Sequence, residues 1–248
     1  MKKYVFIIDL DATIIGNCKY QLELYKQYML LKSKGIKINI NKLFHNFYVE
    51  KAKLCRPYFI YFMTKMRELY KNNVYFYVYT ASSHEWANFE IKIIEKANNI
   101  KFNRPIFTKN DCKLDSKEQR YVKMITPILD KIKPKDPEII IIDDCDVYKD
   151  FKESHILCRP YKYTVFCELH NYLLPEQKNI KNLLICPFTN KTKQYKWLYK
   201  KSKDIDNKNK EFIEDKFWLY LANTIIKHKI SNYNPNIIKQ LTTIANSY

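Results

Sequence analysis

The apolar run Val5-Phe6-Ile7-Ile8 stops abruptly on Asp9-Leu10-Asp11-Ala12-Thr13, and no other stretch of the 248 residues constrains the fold as strongly. A short, unbroken apolar run rich in β-branched and aromatic residues reads as a strand buried on both faces, as in parallel sheets covered by helices. Open sheets of that kind bind ligands in the crevice at the carboxyl ends of their strands. Asp9 and Asp11 would therefore both be delivered to that rim. Taken alone, the octet also suits a plain turn after a strand, so the rest of the chain has to decide.

Two more strands end on chemistry. Val74 to Tyr79 is rich in aromatic and β-branched residues and closes on Thr80-Ala81-Ser82-Ser83; Ile139 to Ile142 is wholly apolar and closes on Asp143-Asp144-Cys145-Asp146. Between the strands, helical spacing predicts helices over about Lys19 to Leu31, from Arg56-Pro57 to Tyr70, over His84 to Ala97 and over Lys117 to Lys131. Ile36 to Ile40 alternates like a half-buried strand, Leu43 to Leu54 is ambiguous, Arg104 to Asp111 reads as a short strand and turn, and Pro134 to Pro137 as a break. Strands alternating with helices mean a Rossmann-like parallel α/β sheet with right-handed crossovers and flanking helices. Its crevice gathers Asp9, Asp11, Thr80, Ser82, Asp143 and Asp144, with Lys123 expected on the helix before the third strand.

Two carboxylates about 4 Å apart at an effective dielectric near 20 repel by about 4 kcal/mol, so a group of three or four calls for shared protons or a cation. Hard oxygen donors, with a substrate phosphate completing the shell, favour Mg²⁺ over zinc. The two glycines, Gly16 and Gly35, exclude both a Walker loop and a G-x-G-x-x-G fingerprint. Seven scattered cysteines without a C-x-x-C pair imply neither a zinc knuckle nor a disulfide ladder. Met-Lys-Lys leads straight into a strand too short for a signal or membrane span, so an intracellular location, cytoplasm or nucleus, is expected. The net charge of +18 suits an acidic partner, although an AT-rich coding sequence would also inflate lysine.

In this order the motifs resemble those of the haloacid dehalogenase superfamily of aspartate-nucleophile phosphatases: Asp9-Leu10-Asp11-Ala12-Thr13, a strand ending at Thr80, Lys123, and Asp143-Asp144. Within it the chain is similar to the branch of RNA polymerase II carboxy-terminal-domain phosphatases and NLI-interacting-factor-like proteins. Arg56-Pro57, Tyr79-Thr80-Ala81-Ser82 with Trp86-Ala87, Tyr121-Val122-Lys123, Val147-Tyr148 and Pro160-Tyr161-Lys162-Tyr163 carry that likeness, which spans about residues 3 to 165. The resemblance implies that Asp9 is the nucleophile and Asp11 the acid and base, with Thr13 orienting it. It further implies that Thr80, Ala81 and Lys123 bind phosphate, and that Mg²⁺ is held by Asp9, Asp11, Asp143 and Asp144. The implied reaction is phosphomonoester hydrolysis through an aspartyl-phosphate, on a phosphoprotein such as the RNA polymerase II C-terminal tail. A nucleic-acid end phosphatase and a catalytically idle binding module are the rival readings.

The expected organisation is a haloacid-dehalogenase-like domain over residues 1–170, with a small lid within 17–55, and a basic, mainly helical extension over 171–248. The segment Lys191 to Lys210, where lysines alternate with Tyr195, Trp197 and Tyr199, would suit nucleic acid or an acidic partner, or else is a solvated charge run. Glu211 to Lys227 and Pro235 to Ala245 read as amphipathic helices.

Overall fold

The computed structural model describes residues 2–35, 40–117, 119–165 and 204–247. Four parallel strands form its centre: β1 (Tyr4–Ile8), β2 (Val74–Val78), β5 (Glu138–Asp143) and β6 (His155–Leu157), in the order β2-β1-β5-β6. The register sets Ile8 beside Val78 on one side and Ile142 on the other. Because β1 is central, the residues that follow it lie between the tips of β2 and β5.

β1 is buried throughout because each face meets its own core. Phe6 and Ile8 join the larger cluster, with Phe76, Val78, Ile140, Ile142 and residues of the helices. Val5 and Ile7 point the other way, to Tyr77, Tyr79, Phe107, Ile125, Ile128 and Ile141. The helices supplying the first cluster are α1 (Lys19–Ser33), α2 (Ile40–Tyr48), α3 (Phe59–Tyr70), α4 (His84–Asn98), α6 (Phe217–Lys227) and α7 (Pro235–Ala245); residues 204–209 form a further short helix, α5.

The second face is roofed by an irregular segment, and here the structure corrects the sequence. In place of a helix over Lys117 to Lys131 there is an antiparallel hairpin, β3 (Lys113–Asp115) with β4 (Arg120–Val122), and then a 3₁₀ turn over Thr126–Lys131. A helix across that span would carry Pro127 in its interior, at a cost of about 3 kcal/mol. The Asp115 carboxylate turns the chain by accepting Lys117 N (2.9 Å), Gln119 takes a φ of 52°, and Tyr121-Val122 favours a strand. Asp150 then caps the turn, accepting Ile125 N and Thr126 N at 2.8 Å each. Lys123 thus leaves a strand end, paired with Tyr148 through a parallel bridge.

Of the residues read as a strand over Ile36 to Ile40, 36–39 lie outside the described residues and Ile40 opens α2. The ambiguous stretch after it is helical to Tyr48, followed by a 3₁₀ turn over Glu50–Ala52. The α1–α2 insert seats on α4 through aromatic rings, Tyr25 and Phe44 lying 4.5 and 5.0 Å from Phe89. Gly16 leads into it where a Cβ would lie 2.0 Å from the Tyr163 carbonyl oxygen, so no larger residue fits.

The helix expected from Glu211 starts only at Phe217, because Asp215 turns inward and accepts Phe217 N (3.2 Å). α7 begins with Pro235 in its first turn, Asn234 capping it by accepting Ile237 N. Both helices share the main core: Trp218 is buried against Phe59 and Phe62, at 5.0 and 4.8 Å. A buried clasp ties them to the motif region. Arg56 Nε and Nη2 donate to Asp215 Oδ1 and Oδ2, 2.9 Å each, and the Phe217 and Tyr161 rings face the guanidinium at 4.5 and 5.5 Å. The expected boundary near 170 and the lysines up to 203 lie outside the described residues.

Both outer strands have a second partner. Along β2, Asn103 accepts Phe76 N through Oδ1 (2.8 Å) and donates its own N–H to Phe76 O (2.7 Å), and Phe107 N donates to Val78 O. Along β6, Asn246 of the turn after α7 donates Nδ2 to Leu157 O and accepts Arg159 N, both at 2.9 Å. The sequence reading contains no strand at β6, which is only three residues long.

Candidate active site

Asp9 leaves β1 still bonded to the sheet, its N–H donating to Ile142 O (2.9 Å). Leu10 then becomes a hub whose carbonyl accepts Ile14 N and Ile15 N at 3.0 Å, folding the loop back on itself. The fold requires Ala12 to adopt a φ of 59°, a left-handed conformation costing a residue with a Cβ about 1 kcal/mol. With the loop so bent, Asp11 faces the tip of β2, where Thr80 Oγ1 and Ser82 Oγ both donate to its Oδ2, at 3.1 and 2.9 Å.

Lys123 crosses under the same point. Its Nζ donates to Asp9 Oδ1 (2.5 Å) and to Asp143 Oδ2 (2.7 Å), all three side chains being buried. Cys145 N holds the other Asp143 oxygen (2.8 Å). Thr13 reaches the tip of β5: its hydroxyl lies 3.3 Å from Asp144 Oδ1 and accepts Asp144 N at 3.1 Å. Cys145 lies at the surface, but its partly covered thiol donates to Asp144 Oδ2 (3.4 Å), and that cover with the two neighbouring carboxylates pushes it up to about 12.

The charges do not balance. Four carboxylates, Asp9, Asp11, Asp143 and Asp144, share one ammonium. Burial raises the Asp9 carboxyl well above the usual carboxylate range against the pull of Lys123, and Asp143 and Asp11 push the same way. Burial, then Asp143, also raises Asp144. Lys123 is held above its ordinary value by Asp9 and its other anionic neighbours, which outweigh burial. Ligand atoms of Asp143, Asp144 and Cys145 lie within 4.8 Å of one another. A surplus of hard oxygen donors around a single fixed cation fits a small divalent ion such as Mg²⁺, which would lower those carboxyls again.

The structure therefore brings together Asp9, Asp11, Thr80, Lys123, Asp143 and Asp144, with Thr13 joined to them through Asp144. Ala81 is exposed in the turn between Thr80 and Ser82. His84 opens α4 on the surface, its ring beside Asn88. Four residues around the site carry no role in the sequence reading. Ser82 doubles the grip on Asp11, and its place two residues after Thr80 was the available signal. Tyr79 and Tyr148 flank Lys123, which strand alternation alone does not reveal. Glu90 is fully buried on α4, with Tyr48 of the insert donating to its Oε1. Burial, with the nearby Asp11 charge, pushes the Glu90 carboxyl up to about 8. Among the described residues, no helix is long and apolar enough to cross a membrane.

No curated protein matches the chain in sequence. Two solved structures resemble it over 98% of its length at 15% identity and a TM-score of 0.40: Fcp1, an essential RNA polymerase II CTD phosphatase, and a substituted form of fission yeast Fcp1 bound to beryllium fluoride. The chain spans 61% of the length of either. Residues 4–185 match the family described as NLI interacting factor-like phosphatase, nearly three quarters of the sequence, and the chain belongs to that family.

Proposed function

We propose that this chain is a Mg²⁺-dependent phosphomonoesterase that works through an aspartyl-phosphate on Asp9, with phosphoserine or phosphothreonine in protein as its substrate. The observation that carries this reading is the meeting of Asp9, Asp11 and Lys123 at the central strand tip, in a chain of a phosphatase family. Mg²⁺, held by Asp9, the backbone carbonyl of Asp11, Asp143 and Asp144, would neutralise phosphate charge and orient it for in-line attack.

In the first half-reaction an Asp9 oxygen attacks phosphorus, the bond from phosphorus to the seryl oxygen breaks, and the Asp11 carboxyl gives that oxygen its proton. In the second, Asp11 takes a proton from water, the hydroxide oxygen bonds to phosphorus, and the bond to Asp9 breaks, releasing phosphate. Thr80 and Ser82 hold Asp11 Oδ2, so Oδ1 is the oxygen left to carry the proton. An ammonium has three N–H donors, and two are spent on Asp9 and Asp143. The third is available to a phosphoryl oxygen, where it would offset charge in the transition state. Thr13 acts at one remove, by anchoring Asp144.

The net charge of +18 supports a second reading, a polynucleotide end phosphatase. The test is phosphate release with Mg²⁺ from a phosphoserine peptide carrying the heptad repeat of the polymerase tail and from end-phosphorylated DNA and RNA, wild type beside Asp9→Asn. Release from the peptide, lost in the variant, is expected; preference for oligonucleotides, weakening steeply with salt, would move the function to nucleic-acid ends. No release from any of them would favour a binding module.

A further inference from the structure

Lys123 is enclosed by rings as well as by carboxylates. Its Nζ lies 5.6 Å from the ring centroid of Tyr79 and 5.6 Å from that of Tyr148, and the two rings meet edge to face at 6.2 Å. The segments carrying the rings also hold the backbone of the lysine: Lys123 N donates to Val147 O (3.0 Å), Lys149 N to Lys123 O (3.2 Å), and Met124 N to the Tyr79 hydroxyl (3.4 Å). The two hydroxyls differ. That of Tyr79 donates to Asp111 O at 2.7 Å, whereas that of Tyr148 has no hydrogen-bond partner among the described residues although the side chain is 1% exposed. A buried, unpaired hydroxyl is a net cost. What Tyr148 contributes must therefore come from its ring. The His155 ring lies 5.4 Å from it.

We infer that Tyr148 is a positioning residue acting through Lys123: its ring face, with that of Tyr79, fixes the ammonium where it meets Asp9 and Asp143 and keeps one N–H for the phosphoryl oxygen. Lysine needs such help because it carries a compact, strongly hydrated charge on a flexible four-carbon stem. A negative ring face replaces water on the side that the carboxylates leave bare, and does so at little conformational cost. The catalytic half of this inference rests on the phosphatase reading above; the enclosure of Lys123 does not.

The experiment replaces Tyr148 by phenylalanine and then by phenylalanines of increasing fluorination, which keep the shape while draining charge from the ring face. Two quantities are read: turnover of p-nitrophenyl phosphate with Mg²⁺, and hydrogen exchange of the Lys123 ammonium by NMR, assigned by its loss in Lys123→Met. Tyr148→Phe is the reference for the fluorine series, since it removes only a hydroxyl with no hydrogen-bond partner among the described residues. The fully fluorinated ring should lower kcat about tenfold with KM nearly unchanged, and should speed ammonium exchange. A fluorine series flat in both readouts overturns the inference, as does Tyr148→Leu with wild-type kcat. If wild type turns nothing over while exchange follows fluorination, the phosphatase reading falls and the enclosure of Lys123 stands.

Discussion

Arg56 and Lys123 are both buried cations held by carboxylates, yet they do opposite things. Among the described residues Arg56 meets Asp215 through two parallel hydrogen bonds, one cation facing one carboxylate. Lys123 stands between Asp9 and Asp143, with Asp11 close to Asp9 and Asp144 close to Asp143, so that carboxyls outnumber the ammonium. A balanced pair in a dry interior works as a clasp, because each partner answers for the burial of the other. An unbalanced group remains in want of positive charge, which is what a cation and a phosphoryl transition state can use. Glu90 shows a third answer: with no cation beside it among the described residues, it keeps its proton.

The sharpest way to break this contrast is at the unbalanced centre. Asp9→Asn should lower phosphate release at least about 10³-fold. Its melting temperature should not fall, since one of two like charges around Lys123 is removed; a variant that loses activity only by unfolding would erase the distinction. At the clasp the order reverses. Asp215→Ala leaves Arg56 buried against aromatic rings and should cost about 3–5 kcal/mol in denaturant unfolding, with activity per folded molecule unchanged. Replacing both partners, Arg56→Met with Asp215→Leu, should recover most of that loss.

Glu90 yields a smaller effect that depends on pH. The unfolded chain ionises this carboxyl above about 4.5, whereas the folded chain keeps it protonated to about 8. The contribution to stability is therefore complete at acid pH and is lost as pH rises towards 8. Between pH 5.5 and 8 the stability of wild type relative to Glu90→Gln should fall by about 3 kcal/mol, read as the difference between their unfolding curves. A difference that is flat, or that rises, would show Glu90 ionised and paired like the others. The smallest effect is at the bend of the loop after β1, where Ala12→Gly should relieve the left-handed backbone and raise stability by up to about 1 kcal/mol.

Much of the site was legible in the sequence because three apolar runs each end on polar groups, and the end of a buried strand is a place few other arrangements can produce. Asp9, Thr80 and Asp143 follow from that alone, and Lys123 from the ordered motifs. The hairpin before Lys123 was not legible: lysines, glutamine and apolar residues at helical spacing cover Lys117 to Lys131, and the outcome turns on Pro127 and on Asp150 reaching back to cap Ile125. The clasp was hidden for another reason. Arg56 and Asp215 lie 159 residues apart, and no local pattern pairs them. Nor does any local rule pair Thr13 with Asp144, 131 residues away.

The two asparagines that complete the outer strands bear on how this molecule behaves among copies of itself. An open strand flank carries a row of unused backbone donors and acceptors, a template on which another chain can add a strand and begin to aggregate. Asn103 and the Phe107 backbone occupy that row on one side, and Asn246 occupies part of it on the other, beside a strand only three residues long. With chain that is not itself strand along both flanks, the sheet offers another copy fewer free backbone groups on which to add a strand.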